Sequence, residues 1–435
     1  MVEKVSSLQY ANESVWVLDP NERMLPPVKN NGRVIAYTPP GCWGAMVTPD
    51  YPSGHEVTRP IFVDGAEVGD ALVIKISKIN ILSLATTSGV DETDKKYFGD
   101  DPFVDKKCPN CGTVNPETYV DGVGEGSIKC SKCNVSVLPF RIKNGYTMIF
   151  DDLRSFGITV DRDMAYEIAE NAKAFGALPS YSRQYSCNIL ARSDFEPVAS
   201  RVIAMIGNIG TCPAIKMPSS HNAGDFGYFL VNANHKYSLK ESELALRTDG
   251  HLDCNSVTEG ATIIAPVKIK GAGLYVGDVH AMQGNGEIAG HTTDVSAEVI
   301  LDLDLIKGLN IDGPIVLPLE RDIPKIAKKY DDNEKDSINK LVERYGLEVD
   351  LEYYPLQFIG SGKDLNEAAL NSLERIALLF NKDINEIKNR ATITGSVDIG
   401  RLPGVVKTTL LIPGKWIKGI NSKLYNTVNK IFSPI

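Results

Sequence analysis

The chain has 435 residues, 43% hydrophobic and 23% charged, enough for two or three domains and an ample buried core. Its formal net charge of −9 argues against a surface built to grip nucleic acid or an anionic membrane. No apolar run reaches the roughly 18 residues a spanning helix needs, and MVEKVSSLQYANESVWVLDP carries no apolar stretch behind its charges, so the expected address is cytoplasmic.

The 37 Gly and 24 Pro predict frequent turns and therefore short strands. Within 32–80, GRVIAY, PIFVDG and ALVIKISKINI read as strands, separated by PPG, DYPSG and DGAEVGD. Trp43, Tyr51 and His55 fall in the loop between the first two strands, and His55 is expected to be solvated there. From Thr87 to Pro102 the chain turns polar and acidic, which reads as loop.

Cys108-Pro-Asn-Cys111 and Cys130-Ser-Lys-Cys133 then flank eighteen residues. Two CxxC knuckles at this spacing predict a tetrahedral zinc ribbon, two thiolates from each knuckle, with the spacer as a β-hairpin. The ion would fold a segment too small to have its own core. A structural zinc in a surface insertion is the reading taken for 104–140. A nucleic-acid or protein contact module is the alternative, accompanied only by Lys106, Lys107, Lys129 and Lys132. Redox pairs do not come in tandem at ribbon spacing. Cys42, Cys187, Cys212 and Cys254 stand singly, and most are expected to be buried small hydrophobes, with a cysteine nucleophile as the alternative.

Residues 161–175 predict a helix capped by Asp161 or Asp163 and ended by Gly176. A second β-rich region runs from about 197 to 318, with GNIG at 207–210 and SSHNAGDFGYFLVNANH after it. Past 320 the chain is charged and helical over 321–346, with a strand around 347–360. Asp364 and Glu367 form a capping pair for DLNEAALNSLERIALLF, where Ala368, Leu373, Ile376, Ala377 and Phe380 repeat at helical spacing. Asp383 and Glu386 repeat the device; SVDIGRL and VVKTTLLIP alternate like strands, and SKLYNTVNKIF is an amphipathic helix. The division is an N-terminal β-rich part (1–103), the zinc-ribbon insertion (104–140), a connecting segment (141–195), a β part (196–320) and a helical C-terminal part (321–435).

Chemistry concentrates in 271–294. Asp278 and His280 are two apart and share one face of a strand. Gly284-Asn285-Gly286 suits a hairpin turn, after which Glu287 and His291 share a face and Asp294 follows. Periodicity alone leaves a gathered site and a polar surface hairpin both open. His251-Leu-Asp253 is a second such pair, and the two pairs could face a common centre. His, Asp and Glu are the ligand types of a hydrolytic site for zinc or another divalent ion; alternatively Asp253 closes a turn and His251 is solvated. No P-loop, GxSxG or HExxH is present.

GAGLYVGDVHAMQGNGE resembles the acetamidase/formamidase family through Gly271-Ala272, Gly277-Asp278-Val279-His280 and Gln283-Gly284-Asn285-Gly286-Glu287. Further similar stretches are Pro60-Ile61 with 64–70, Asp249-Gly250-His251-Leu252-Asp253 with Gly260 and Pro266-Val267, GNIGTCP at 207–213, 364–368 and Ser396–Gly400. His251 stands at a family Asn, Asp249 at a Gly, Asn285 at an Asp and Asp294 at a Glu. The CxxC module and the charged 321–346 stretch look like insertions. The resemblance implies a mainly β (α+β) fold with a jelly-roll-like β-sandwich, homo-oligomers (dimer or higher), and hydrolysis of short linear amides to carboxylate and ammonia. An amide carbonyl needs polarising and an activated water, which a divalent metal, zinc among the candidates, held by some of His251, Asp253, Asp278 and His280 could supply. Glu287 is the choice for general base, with Asp278 and His280 beside it, although ligand and base can be exchanged among these five. Gln283, Gly210 and His291 are assigned to substrate. The alternative is an altered member that serves as a binding or scaffold protein, or that acts on another C–N bond.

Overall fold

The computed structural model describes residues 5–41, 55–87, 90–93, 107–137, 140–182, 194–220, 230–231 and 237–433. Cys42, Trp43, Tyr51, Cys187 and most of SSHNAGDFGYFLVNANH lie outside the described residues. The protein is mostly β with some helix. A nine-stranded sheet runs Leu8–Ala11, Arg33–Thr38, Ala297–Ile306, Ala71–Ile81, Thr262–Pro266, Ile315–Leu317, Tyr353–Ser361, Val405–Pro413 and Gly395–Arg401. Its first pair is parallel and the others are antiparallel. An eleven-stranded sheet is centred on Ala272–His280, which pairs with Met205–Thr211, Ile61–Val63, Val57–Thr58 and Asp294–Val295.

Strand periodicity explains how the layers meet. Leu72, Ile74 and Ile76 point into one core together with Ile206, Leu274 and Val276 of the second sheet. Ala71 and Val73, one residue out of phase, enter a different core with Leu356, Leu410 and the helical Ile376, Phe380, Ile387 and Leu424. Residues one apart face opposite sides of a strand, so the middle of the nine-stranded sheet is buried on both faces. That accounts for apolar runs such as ALVI and TIIAP, which lack polar alternation.

The helices start where their caps sit. Asp161, Asp331, Asp364 and Asp383 each accept a hydrogen bond from a first-turn backbone N–H, worth about 1 kcal/mol apiece. The Leu365–Phe380 and Ser422–Phe432 helices coincide with the apolar spacing read from sequence. Among the described residues no helix is long and apolar enough to cross a membrane.

Some local expectations are corrected. Val90–Thr93, read as loop, is a strand paired with Phe140–Lys143. The 161–175 segment divides into Arg162–Glu170 and Ala172–Gly176, and only Asp332–Tyr345 of 321–346 is α-helix. Gly284-Asn285-Gly286 is not a hairpin tip. Ala272–His280 and Asp294–Val295 pair at only two positions, and 281–293 is a long connection between them. His251-Leu252-Asp253 is not a strand either: Asp253 is left-handed, φ 44°, and His251 makes an isolated bridge to Asn208. Cys212 and Cys254 are buried, as expected of small hydrophobes.

Candidate active site

Every residue of the Ala272–His280 strand is buried, so polar groups on it must find partners within the protein. Asp278 breaks the regular pleat with φ 55°, a conformation Asp tolerates better than most side chains. Its Oδ1 lies 3.1 Å from His280 Nε2, and Asp294 Oδ1, from the residue opposite His280, lies 3.2 Å from the same nitrogen. His280 Nδ1–H donates to Gln283 Oε1 at 2.8 Å, which fixes Nε2 as the nitrogen facing the carboxylates.

The neighbouring strands deliver the rest. Val57 pairs with Gly277, bringing His55 Nδ1 to 3.0 Å from Asp278 Oδ2. His55 is therefore buried in the site rather than solvated. Its ring meets His251 edge-on, centroids 4.5 Å apart. His251 bridges Asn208 of the adjoining strand; its Nε2 lies 2.7 Å from Asp253 Oδ2 and 3.6 Å from Asp278 Oδ2. Gly207 permits this convergence, because a Cβ there would run into Asp253 Oδ1 and Asp278 Oδ2.

Glu287 and Arg401 close the cluster. The backbone of Gly286 pairs with the end of the Gly395–Arg401 strand, with Gly286 N–H donating to Gly400 O at 3.2 Å and Leu402 N–H to Gly286 O at 3.1 Å. Arg401 Nε thus stands 3.4 Å from Glu287 Oε2, and its Nη1 lies 3.1 Å from His251 Nε2 and 3.5 Å from Asp253 Oδ2. Four buried carboxylates (Asp253, Asp278, Glu287 and Asp294) share this volume with three buried imidazoles and one guanidinium.

Electrostatics divides these acids into two kinds. Burial opposes ionisation of Asp278, but the charges of His55 and then His280 hold its carboxyl well below the ordinary range. Asp253 is likewise lowered, its burial outweighed by His251. His280 is disfavoured as a cation by burial, yet Asp278 and Asp294 hold it well above the usual histidine value. Glu287 goes the other way: burial, followed by the Asp253 charge, pushes it up to about 8 against the pull of Arg401. Asp294 is also raised, by burial. Such a separation of acids by environment marks groups suited to different roles.

The donor set fits divalent cations. His55, His251 and Asp278 form one triad of ligand atoms within 4.8 Å, and Asp253, Asp278 and His280 form another. Both Asp253 oxygens, Asp278 Oδ2, Glu287 Oε2 and both Asp294 oxygens are buried without a hydrogen bond. His251, His55, His280 and Arg401 stand within ion-pair distance of four of these oxygens, and a metal cation held among them would satisfy the remaining lone pairs. At a distance, the Cys108, Cys111, Cys130 and Cys133 ligand atoms also lie within 4.8 Å of one another, on a fold whose Thr118–Val120 and Ile128–Cys130 strands form the expected hairpin. Hydrogen bonds from Thr113 lower Cys111 to about 6, while burial pushes Cys108 up to about 11.

Of the residues singled out in the sequence, Asp278, His280, His251, Asp253 and Glu287 converge. Gln283 is engaged by the protein itself, since its Nε2 donates to Asp253 O at 2.5 Å. His291 lies close enough to Asp294 to influence its charge. Gly210 stands apart, packed against Gly250 and Tyr275. His55 and Arg401 were missed. A lone histidine in a Pro-rich loop has no spacing partner, and Arg401 ends SVDIGR, which reads simply as a strand.

Fold and site together define an α+β protein with a buried carboxylate–imidazole cluster suited to divalent cations. The chain belongs to the Acetamidase/Formamidase family, whose sequence model matches residues 43–417. Among curated proteins none matches it in sequence. A recombinant predicted acetamidase/formamidase from the thermophile Thermoanaerobacter tengcongensis shares the fold with TM-score 0.53 at 18% identity, covering 96% of this chain and 99% of its own. An acetamidase from Yersinia enterocolitica gives 0.54 at 15% identity, with 94% and 93% covered. One from Bacillus halodurans gives 0.52 at 15% identity, with 95% and 99% covered.

Proposed function

We propose that the protein hydrolyses short linear amides of the formamide or acetamide type to carboxylate and ammonia. The observation that carries this reading is the buried cluster around Asp278, in a chain of the Acetamidase/Formamidase family. Asp253, Asp278, His280, His251 and His55 would hold divalent metal. A bound ion supplies Lewis acidity toward an amide oxygen and makes water a nucleophile near neutral pH.

The protein's own groups do the rest. An amide nitrogen leaves only when protonated, so one group must take a proton from water and deliver it to that nitrogen. Glu287, with its carboxyl near 8, is matched to that traffic around neutral pH. Arg401 offsets negative charge beside it. Gln283 orients His280 and ties it to the Asp253 backbone. Substrate contact falls to His291 in this reading, because Gln283 is already engaged and Gly210 packs against Gly250. In the same reading the four cysteines hold a structural zinc in a ribbon inserted over 104–140. The two large sheets form a jelly-roll-like sandwich, and the chain works in the cytoplasm as a homo-oligomer.

Ammonia release from formamide, acetamide and a panel of longer amides, measured beside metal content, tests the proposal. Release from the short amides is expected. No release from any amide, with metal bound outside the cysteine cluster, overturns it.

A further inference from the structure

The segment 247–253 carries His251 and Asp253 to the site, yet it belongs to no strand of either large sheet. On one side its backbone clasps the second sheet: Ile209 N–H donates to Gly250 O at 2.8 Å and Leu252 N–H to Gly207 O at 2.7 Å. The other side is held by a side chain. Asp249 Oδ1 accepts from Arg247 Nε at 3.0 Å and from Ser361 Oγ at 2.7 Å, and Oδ2 accepts from Arg375 Nη2 at 2.7 Å. Ser361 ends the Tyr353–Ser361 strand, an interior strand of the nine-stranded sheet, and Arg375 lies on the Leu365–Phe380 helix.

Both arginines are themselves fixed. Arg375 Nη1 donates to Ile359 O at 2.7 Å and Nε to Asp312 Oδ2 at 3.0 Å. Gly313 leaves room for this guanidinium, because a Cβ there would strike it. Arg247 Nη1 donates to Leu244 O at 2.7 Å and Nη2 to Ser361 Oγ at 3.1 Å, while Lys268 donates to Arg247 O. Asp249, Arg247 and Arg375 are all buried. Burying three charges is a poor route to stability, which apolar side chains supply at least as well; the better-attested use of such a group is to fix one register.

We propose that Asp249 is a positioning residue: gripped by Arg375 and Ser361, its carboxylate sets the loop that presents His251 and Asp253 to Asp278. The role in metal binding rests on the proposed function, where His251 and Asp253 are ligands. Only Gly250 separates the anchor from His251, so a shift of the anchor passes directly to the imidazole. The Asp at a position where the family pattern has Gly therefore does not intrude on the site; it ties the site to the far sheet and its helix.

The test compares Asp249→Asn and Arg375→Gln, singly and together, with Ile387→Ala, a buried change on the Ile384–Thr394 helix that serves as a stability control. The first readout is the ¹⁵N resonances of the His251 ring, assigned by their loss in His251→Asn; these need neither ion nor substrate. Asp249→Asn should move them and Ile387→Ala should not, even where the control melts at a lower temperature. The second readout is Zn²⁺ affinity outside the cysteine cluster. It should fall about 10–100-fold in Asp249→Asn, as for loss of a group that orients a ligand, and the Arg375→Gln loss should not add to it. Unmoved His251 resonances, or unchanged Zn²⁺ affinity in a parent that binds zinc there, overturn the inference. Moved resonances in a parent that binds no such zinc and releases no ammonia keep the positioning role and overturn the proposed function instead.

Discussion

Gln283 joins two proposed ligands through one amide: its Oε1 accepts the Nδ1–H of His280 at 2.8 Å, and its Nε2 donates to the Asp253 backbone carbonyl at 2.5 Å. The imidazole and the carboxylate are thereby oriented by the same side chain. Gln283→Leu, similar in volume but unable to hydrogen-bond, is expected to lower divalent-metal affinity about 10–100-fold. Zinc titration against a competing chelator measures it. A wild-type affinity would mean that packing alone orients His280.

His55 reaches Asp278 from the segment that leads into the Val57–Thr58 strand and belongs to one of the two ligand triads. His55→Ala should reduce the metal retained after dialysis and cut amide turnover by about 100-fold or more, since it removes an imidazole as well as a charge partner. Elemental analysis paired with ammonia release checks both effects. Full metal retention would place His55 outside the ligand set.

Glu287 leaves a signature in stability as well as in rate. In the folded protein its carboxyl holds its proton up to about 8, whereas the unfolded chain ionises in the ordinary glutamate range. Between those limits the unfolded state binds fewer protons, so this residue makes stability fall as pH rises through the window, with no contribution to the slope outside it. His280, held above its ordinary value, adds a slope of the same sign only above about 6.5, the usual histidine value. In urea unfolding of chelator-treated protein between pH 5 and 6.5, the raised Asp294 and Asp322 carboxyls add slopes of the same sign, so Glu287→Gln should make the slope shallower by the glutamate's share rather than abolish it. The same variant should lose turnover by about 10²–10⁴-fold with metal content near normal. Full activity in it would remove Glu287 from the base role.

The cysteine module depends on a small core, Cys108, Ile128, Cys130 and Val137, with few apolar neighbours. Metal coordination is expected to supply most of its folding energy. Replacing Cys108 and Cys130 together by Ser should lower metal content by one equivalent and make 107–137 protease-sensitive, while the Asp278 cluster keeps its metal and its activity. A parent with one equivalent in all, lost in this variant, would leave the metal reading of the Asp278 cluster without support.

Legibility in the sequence followed the range of the interactions. Caps such as Asp364 and runs such as ALVIKISKINI are set within a few residues, and the structure has them where the pattern placed them. The pairs Asp278/His280 and His251/Asp253 were legible as neighbours, but the backbone that joins them was not. Asp253 and Asp278 adopt left-handed conformations, so counting by two did not describe their geometry even though their side chains meet. His55, Arg401 and the Asp249 anchor depend on sheet order. Their partners lie on strands or helices far away in the chain, and no local periodicity reports such a contact.

The nine-stranded sheet has Leu8–Ala11 at one edge and Gly395–Arg401 at the other, and the cluster draws on positions from 55 to 401. A chain emerging from the ribosome therefore exposes His55, His251 and the acidic residues long before Arg401 and the Val405–Pro413 strand exist to enclose them. Closure of the site is a late event of synthesis, and the half-made sheet with its open strand edges is the form most in need of chaperone protection.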